Sequence, residues 1–218
     1  IIEKLFFHKS KSFSLNNLGL ICQNKSDYFK AIKYHTNSLE IREEIGDKSG
    51  IAMSLNNIGI IYQNQGDYDK AIDYYTRSLK IQEEIGNLSG MANSLNNIGV
   101  LYYDQGDYDK AIEYYSKSLK FKEKTSDKIG ISGSLNNIGN IYQIQGKYDK
   151  AIDFFTQSLK IQEEIGDKNG ISMSLHNIGA VYKKQGDYDI AMDYDTKSLK
   201  IKEDIGDKGG VAYSLNNI

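Results

Sequence analysis

The chain has 218 residues, 27 basic and 29 acidic side chains, no Pro, no Trp and one Cys. A net charge of -2 supplies no global attraction to nucleic acid or an anionic membrane, and no apolar run approaches the roughly 18 residues that cross a bilayer. Cys22 has no thiol to pair with inside the chain and does not fix the compartment; the protein is near-neutral, no metal or cofactor is expected, and the cytoplasm is taken as the default location.

The opening Ile1-Ile2-Glu3-Lys4-Leu5-Phe6-Phe7 lacks the basic start, long apolar stretch and cleavage site of a signal peptide. Residues 1-10 align instead with the end of a repeat unit that has lost its Gly-Asp turn, the degenerate end of a preceding repeat. From there the sequence superimposes on itself at a shift of 40 residues: Ser54-Leu55-Asn56-Asn57-Ile58-Gly59 recurs at Ser94 to Gly99 and Ser134 to Gly139, and nearly so from Ser14 and Ser174. Five complete units occupy 11-50, 51-90, 91-130, 131-170 and 171-210, and 211-218 begin a sixth. A fixed period of this size predicts a solenoid, whose units bury their apolar faces only against their neighbours. With no initiator Met and a unit that breaks off at Ile218, the expectation is a piece of a longer array.

Within the second unit, Ile51, Leu55, Ile58 and Tyr62 recur at spacings of four, three and four, which predicts a helix from about Lys48 to Asn64. Gly59 lies on that apolar face. A helix-interior Gly costs about 1 kcal/mol against Ala, so its recurrence at 19, 59, 99, 139 and 179 predicts close passage of a second helix. Gln65-Gly66-Asp67 then stops one helix and caps the next, which runs from about Tyr68 to Ile85 and turns Tyr68, Ala71, Ile72, Tyr75 and Leu79 inward. Short turns make consecutive helices antiparallel neighbours, so the fold class is all-α.

Leu55, Ile58-Gly59, Tyr62, Gly66, Tyr68, Ala71, Tyr75 and Ser78 together resemble the tetratricopeptide repeat, and the match covers almost the whole chain. The resemblance implies a right-handed superhelical solenoid of antiparallel helix pairs. Units of 40 residues with a Gly-Asp-Lys-x-Gly connection are similar to the long variant of kinesin light chains, spindle-orientation adaptors and many bacterial regulators. The Pro common at the end of the shorter unit is missing.

Helical geometry separates a second stripe, nearly opposite the core side, through Met53, Asn57, Ile60 and Asn64; in the family this side lines the concave surface. One of its positions never varies: Asn17, Asn57, Asn97, Asn137, Asn177 and Asn217. Asn is a mediocre helix former, and its carboxamide offers both a donor and an acceptor to an extended peptide backbone. In the similar adaptors such a column contacts ligand backbone. The competing explanation is that duplication copied a polar surface residue six times.

Selectivity is expected from the diverged levels of the stripe: Phe13, Met53, Asn93, Gly133, Met173 and Tyr213; Leu20, Ile60, Val100, Asn140 and Ala180; Asn24, Asn64, Asp104, Ile144 and Lys184. Lys183 and Lys184 suit an acidic segment at the fifth unit. The neighbouring column, Asn16, Asn56, Asn96, Asn136, His176 and Asn216, is angled to bond either ligand or the adjacent helix. The clamp of the chaperone-tail-binding members needs a Lys where Asn16 and Asn56 stand, and an Arg that the stripe lacks.

No phosphate loop, nucleophile elbow, zinc-helix motif or paired CxxC occurs, so no catalysis is expected. Ser26 and Ser126 replace turn glycines, and Asp195 replaces an aromatic core residue, where a partly solvated site is expected. The leading expectation is a scaffold that binds a protein or peptide in its groove, and neither nucleic acid nor membrane. The alternatives are a regulatory module of a larger signalling protein and end-to-end self-association.

Overall fold

The computed structural model describes residues 2–215, without the side chains of Ile2, Lys4 and Tyr213. Its eleven described helices are α1 (Ile2–Asn24), α2 (Tyr28–Glu44), α3 (Lys48–Asn64), α4 (Tyr68–Glu84), α5 (Leu88–Asp104), α6 (Tyr108–Lys124), α7 (Lys128–Ile144), α8 (Tyr148–Ile165), α9 (Lys168–Gln185), α10 (Tyr188–Asp204) and α11 (Lys208–Leu215). No strand occurs among the described residues. Residues 2–10 form the opening turns of α1 itself, so no separate helix precedes the first unit there.

The turns explain the regularity. Gly66 sits in the left-handed region at φ 77°, where only Gly is unstrained, and lets Asp67 N–H reach the Tyr62 carbonyl at 2.9 Å while its own N–H reaches Gln63 at 2.9 Å. Asp67 then accepts from Lys70 N–H at 3.3 Å and opens α4. Asp47 caps α3 through Gly50 N–H at 3.0 Å, and Asn87 caps α5 through Gly90 N–H at 3.1 Å. Ser26 and Ser126 keep the same turn at φ 57° and 55° despite carrying a Cβ.

The chain forms two compact units, residues 1–121 and 122–218. In the first, α3 packs on both α2 and α4, and α4 on α5. Its core joins neighbouring repeats: Ala71 and Tyr75 of the second meet Ile98 and Leu101 of the third, with Tyr68, Ile72 and Leu79 packed around them. A repeat cut out alone would expose both halves of that contact. In the second unit Ala151 and Phe155 meet Ile178 and Val181 in the same way.

Glycines on the first helices set the helix separation. A Cβ on Gly59 would stand 2.6 Å from the Tyr75 ring, and one on Gly139 2.7 Å from Phe155. The serine on the facing helix completes the contact, with Ser78 Oγ donating to the Ala52 carbonyl at 2.9 Å and Ser158 Oγ to the Ser132 carbonyl at 3.0 Å.

Candidate functional site

Once one side of each first helix is committed to the core, the opposite side remains accessible. In the first unit this leaves Phe13, Asn17 and Leu20 on α1; Met53 and Asn64 fully open, with Asn57 and Ile60 half-buried, on α3; and Asn93 and Asp104 open, with Asn97 and Val100 half-buried, on α5. In the second unit Ile144 on α7 and Met173, Lys183 and Lys184 on α9 are exposed, while Asn137, Asn140 and Asn177 are half-buried. Asn217 and Asn216 lie outside the described residues, as does the side chain of Tyr213.

The two asparagine columns differ in how far their amides are spent. Asn56 Nδ2 donates to Ser94 Oγ of the next repeat at 3.3 Å, and Asn136 Oδ1 accepts from Ser174 Oγ at 3.3 Å. That column therefore ties adjacent first helices together. In the invariant column Asn57 Nδ2 donates to the buried Asn16 Oδ1 at 2.9 Å, which fixes the carboxamide while its oxygen and second N–H remain unspent. Among the described residues the Asn97, Asn137 and Asn177 carboxamides make no hydrogen bond. Asp104, by contrast, is already engaged: Gln63 Nε2 donates to it at 2.7 Å, and Gln63 Oε1 accepts from the Tyr75 hydroxyl at 2.7 Å. Burial pushes the Tyr75 phenol well above its ordinary range, so it stays a neutral donor.

Asp195 corrects the expectation of a partly solvated site. It is only 5% exposed, and its Oδ1 lies 2.8 Å from His176 Nδ1. The two departures of the fifth unit meet each other. A carboxylate is tolerable in this core slot because the imidazole at the Asn position of the preceding helix answers it.

A further polar column is invisible to helix-face counting. Arg42, Gln82, Lys122, Gln162 and Lys202 read as surface residues, yet all are buried at junctions between repeats. Their stems cross the first turn of the next first helix, and a Cβ on Gly90 would stand 2.3 Å from Gln82. Except at Gln82, whose buried Oε1 has no partner among the described residues, the heads meet the serine of the repeated Ser-Leu motif: Arg42 Nη1 to Ser54 Oγ at 2.8 Å, Lys122 Nζ to Ser134 Oγ at 2.9 Å, Lys202 Nζ to Ser214 Oγ at 2.9 Å, and Ser174 Oγ to Gln162 Oε1 at 2.7 Å. Burial lowers the affinity of Lys122 for its proton, and the nearby Asp127 opposes that shift. The available signal was the recurrence of Gly at 50, 90, 130, 170 and 210, a spacing that the turn alone does not require.

Compared with known families, the sequence matches the tetratricopeptide repeat model over residues 12–84, 50–124 and 130–204. The chain belongs to the tetratricopeptide repeat family. No curated protein matches the sequence. Among solved structures, this tetratricopeptide array is similar to BtubC from P. vanneervenii, with 20% identity, TM-score 0.79, and coverage of 94% of this chain and 91% of that one. It is also similar to aspartyl phosphate phosphatase F from Bacillus subtilis, with 18% identity, TM-score 0.87, and coverage of 97% and 56%. A Rap protein complexed with competence and sporulation factor matches at 17% identity, TM-score 0.76, and coverage of 94% and 57%. At these identities the likeness establishes the tetratricopeptide fold, and function is argued from this chain's own surface. Among the described residues no helix is long and apolar enough to cross a membrane, and no group of three or more His, Cys, Asp or Glu is placed to hold a metal ion.

Proposed function

We propose that the chain is a non-catalytic scaffold that binds an extended polypeptide segment along the open stripe of its first helices. The family supports a role in protein interaction, and the Rap protein complexed with its factor is an example of a similar array with a bound partner. The observation that carries the finer reading is the difference between the two asparagine columns. Asn56 and Asn136 spend their amides on the neighbouring helix, whereas in the invariant column Asn57 alone among Asn57, Asn97, Asn137 and Asn177 does so, through one N–H to Asn16, and the other donors and acceptors stay unspent. Amides repeated once per unit supply bonds to peptide N–H and C=O groups whatever the ligand's side chains, and the levels around Met53, Ile60, Asn64, Asn93, Val100, Asn140, Ile144 and Met173 supply selectivity. Lys183 and Lys184 favour an acidic residue over the fifth unit.

The test is capture of immobilised extended peptides by the wild-type chain and by an Asn57→Ala, Asn97→Ala, Asn137→Ala variant matched for helicity by circular dichroism. Loss of capture in the folded variant is the expected result. Equal capture would make the column architectural. Membership of a larger regulatory protein is a second reading, favoured by the 56% share of aspartyl phosphate phosphatase F that the chain spans, and sequencing the gene on both sides of the segment tests it.

A further inference from the structure

The stripe is not uniform, and within residues 1–121 its α1–α3 end combines two properties. The first is apolar exposure. Phe13 is 62% exposed and Met53 48%, Leu20 is also open, and Ile60 is half-buried beside them. Phe6, one heptad before Phe13 on α1, is 75% exposed and continues the same line. At the level of Phe13 and Met53 the core does not require an apolar side chain, since the equivalent position on α5 is Asn93, while Ile60 also packs against the core beside Ala71 and Tyr75. The second property is preorganisation. The bond from Asn57 to the buried Asn16 holds one carboxamide of the column in place in the middle of this apolar surface.

The six groups Phe13, Asn17, Leu20, Met53, Asn57 and Ile60 carry no charge. A charged side chain docked among them would lose hydration with no counter-charge to replace it, whereas a large apolar side chain would cover surface that otherwise stays wet. We infer that the α1–α3 end of the stripe is the anchor site for an uncharged stretch of an extended peptide, with alternate large aliphatic or aromatic side chains seated on Phe13, Leu20, Met53 and Ile60 and its backbone bonded to Asn57. Alternation follows from the extended chain, which points successive side chains to opposite sides. The inference rests on the peptide-binding reading above and adds the chemistry of the ligand and the end that grips it.

The experiment compares two fluorescein-labelled peptides of equal length, one alternating Leu and Ser and one alternating Asp and Ser, by fluorescence polarisation. The proteins are the wild-type chain, Phe13→Gln with Met53→Gln, and the Asn57→Ala, Asn97→Ala, Asn137→Ala variant. Both substituted apolar residues are exposed, so the fold does not depend on them. The wild type binds the Leu-Ser peptide, the Asp-Ser peptide binds about tenfold or more weakly, and the Phe13/Met53 variant loses about tenfold or more toward Leu-Ser alone. If the Phe13/Met53 variant binds Leu-Ser as the wild type does while the asparagine variant does not, the anchor is refuted and the groove stands. If the asparagine variant also binds normally, the groove reading falls with it. Failure of the wild type to bind Leu-Ser also overturns the anchor. So does a wild-type dimer, seen by sedimentation, that the Phe13/Met53 substitution converts to monomer, because a second copy would then be the occupant.

Discussion

The slot above the first-helix glycine is filled differently in the second and fifth repeats, and the comparison separates what the scaffold requires from what it tolerates. In the second repeat Tyr75 lies against Gly59 and gives its hydroxyl to Gln63 at 2.7 Å, so a large side chain is buried with its one polar group satisfied. In the fifth repeat Asp195 occupies the slot above Gly179 and is satisfied instead by His176, 2.8 Å away across the helix pair. The first repeat resembles neither: His35 is completely buried against Gly19, yet both its ring nitrogens and Gln23 Oε1 lack partners among the described residues. Gln23 stands where Gln63 stands, and the imidazole is too short to make the phenol's bond. The slot therefore accepts aromatic, acidic or basic chemistry, and stability depends on whether the polar atoms inside it are answered.

The largest expected effect breaks the fifth-repeat solution. His176→Ala leaves Asp195 buried without its partner, and truncating one member of a buried pair costs about 3 to 5 kcal/mol. Converting both positions to the pattern of the second repeat, His176→Asn with Asp195→Tyr, removes the charge together with its need and recovers most of that loss. Urea denaturation of the two variants beside the wild type measures both. A double variant as unstable as His176→Ala would mean that the slot has lost its room for a ring.

Next comes the first repeat, through pH. Burial, reinforced by the Arg42 charge, pushes the His35 imidazole down to about 4 from its ordinary 6.5. The folded state thus holds fewer protons than the unfolded one between these values. Its contribution to stability is complete above about pH 6.5, falls with pH, and is fully lost near pH 4, for a total of about 3 kcal/mol. His35→Tyr restores the phenol that Gln23 lacks, adds about 1 kcal/mol at neutral pH and flattens the decline toward acid. Denaturation midpoints of wild type and variant between pH 7 and pH 4 check both statements.

A smaller effect tests the close approach itself. Gly59→Ala sets a methyl 2.6 Å from the Tyr75 ring, so the ring must move and strain its bond to Gln63. The gain in helix propensity of about 1 kcal/mol offsets part of an overpacking cost of about 1 to 3 kcal/mol, and a net loss of about 1 kcal/mol is expected in thermal unfolding. The same change at Gly179 is milder, because the Cβ there meets its neighbours at 3.2 Å.

Much of this was legible because the chain repeats the same instructions. The bounds of α3 were readable as Lys48 to Asn64 from apolar spacing and the flanking Gly-Asp turns, and the inward face of α4 from Tyr68, Ala71 and Tyr75. Single-helix geometry could not reveal contacts between helices. Asp195 and His176 belong to different helices and were anomalous separately, with no rule that joined them. Arg42, Lys122 and Lys202 are long polar side chains whose residue type signals exposure, and it is the packing of one repeat on the next that lays their stems across a glycine and sets their heads on a serine. The invariant asparagines were equally ambiguous as sequence, since the adjacent column looks alike and makes different bonds.

The smallest prediction concerns the turns in which the repeats differ by a single Cβ. Ser26 and Ser126 adopt φ 57° and 55° where Gly66 and Gly106 adopt 77° and 76°. The turn bonds survive, with Asp127 N–H reaching the Lys122 carbonyl at 3.0 Å, so the cost lies in the backbone conformation. A non-Gly residue in this region is strained by about 1 to 2 kcal/mol, and Ser126→Gly removes that strain. The same substitution frees the unfolded chain, which takes back about 0.4 to 1 kcal/mol. The strain term is the larger, so Ser126→Gly and Ser26→Gly each stabilise by about 0.5 to 1 kcal/mol in urea denaturation. The reverse change, Gly66→Ser, destabilises by a similar amount because the same two terms act with opposite sign. A stabilising Gly66→Ser would show that unfolded-state entropy outweighs turn strain in this repeat.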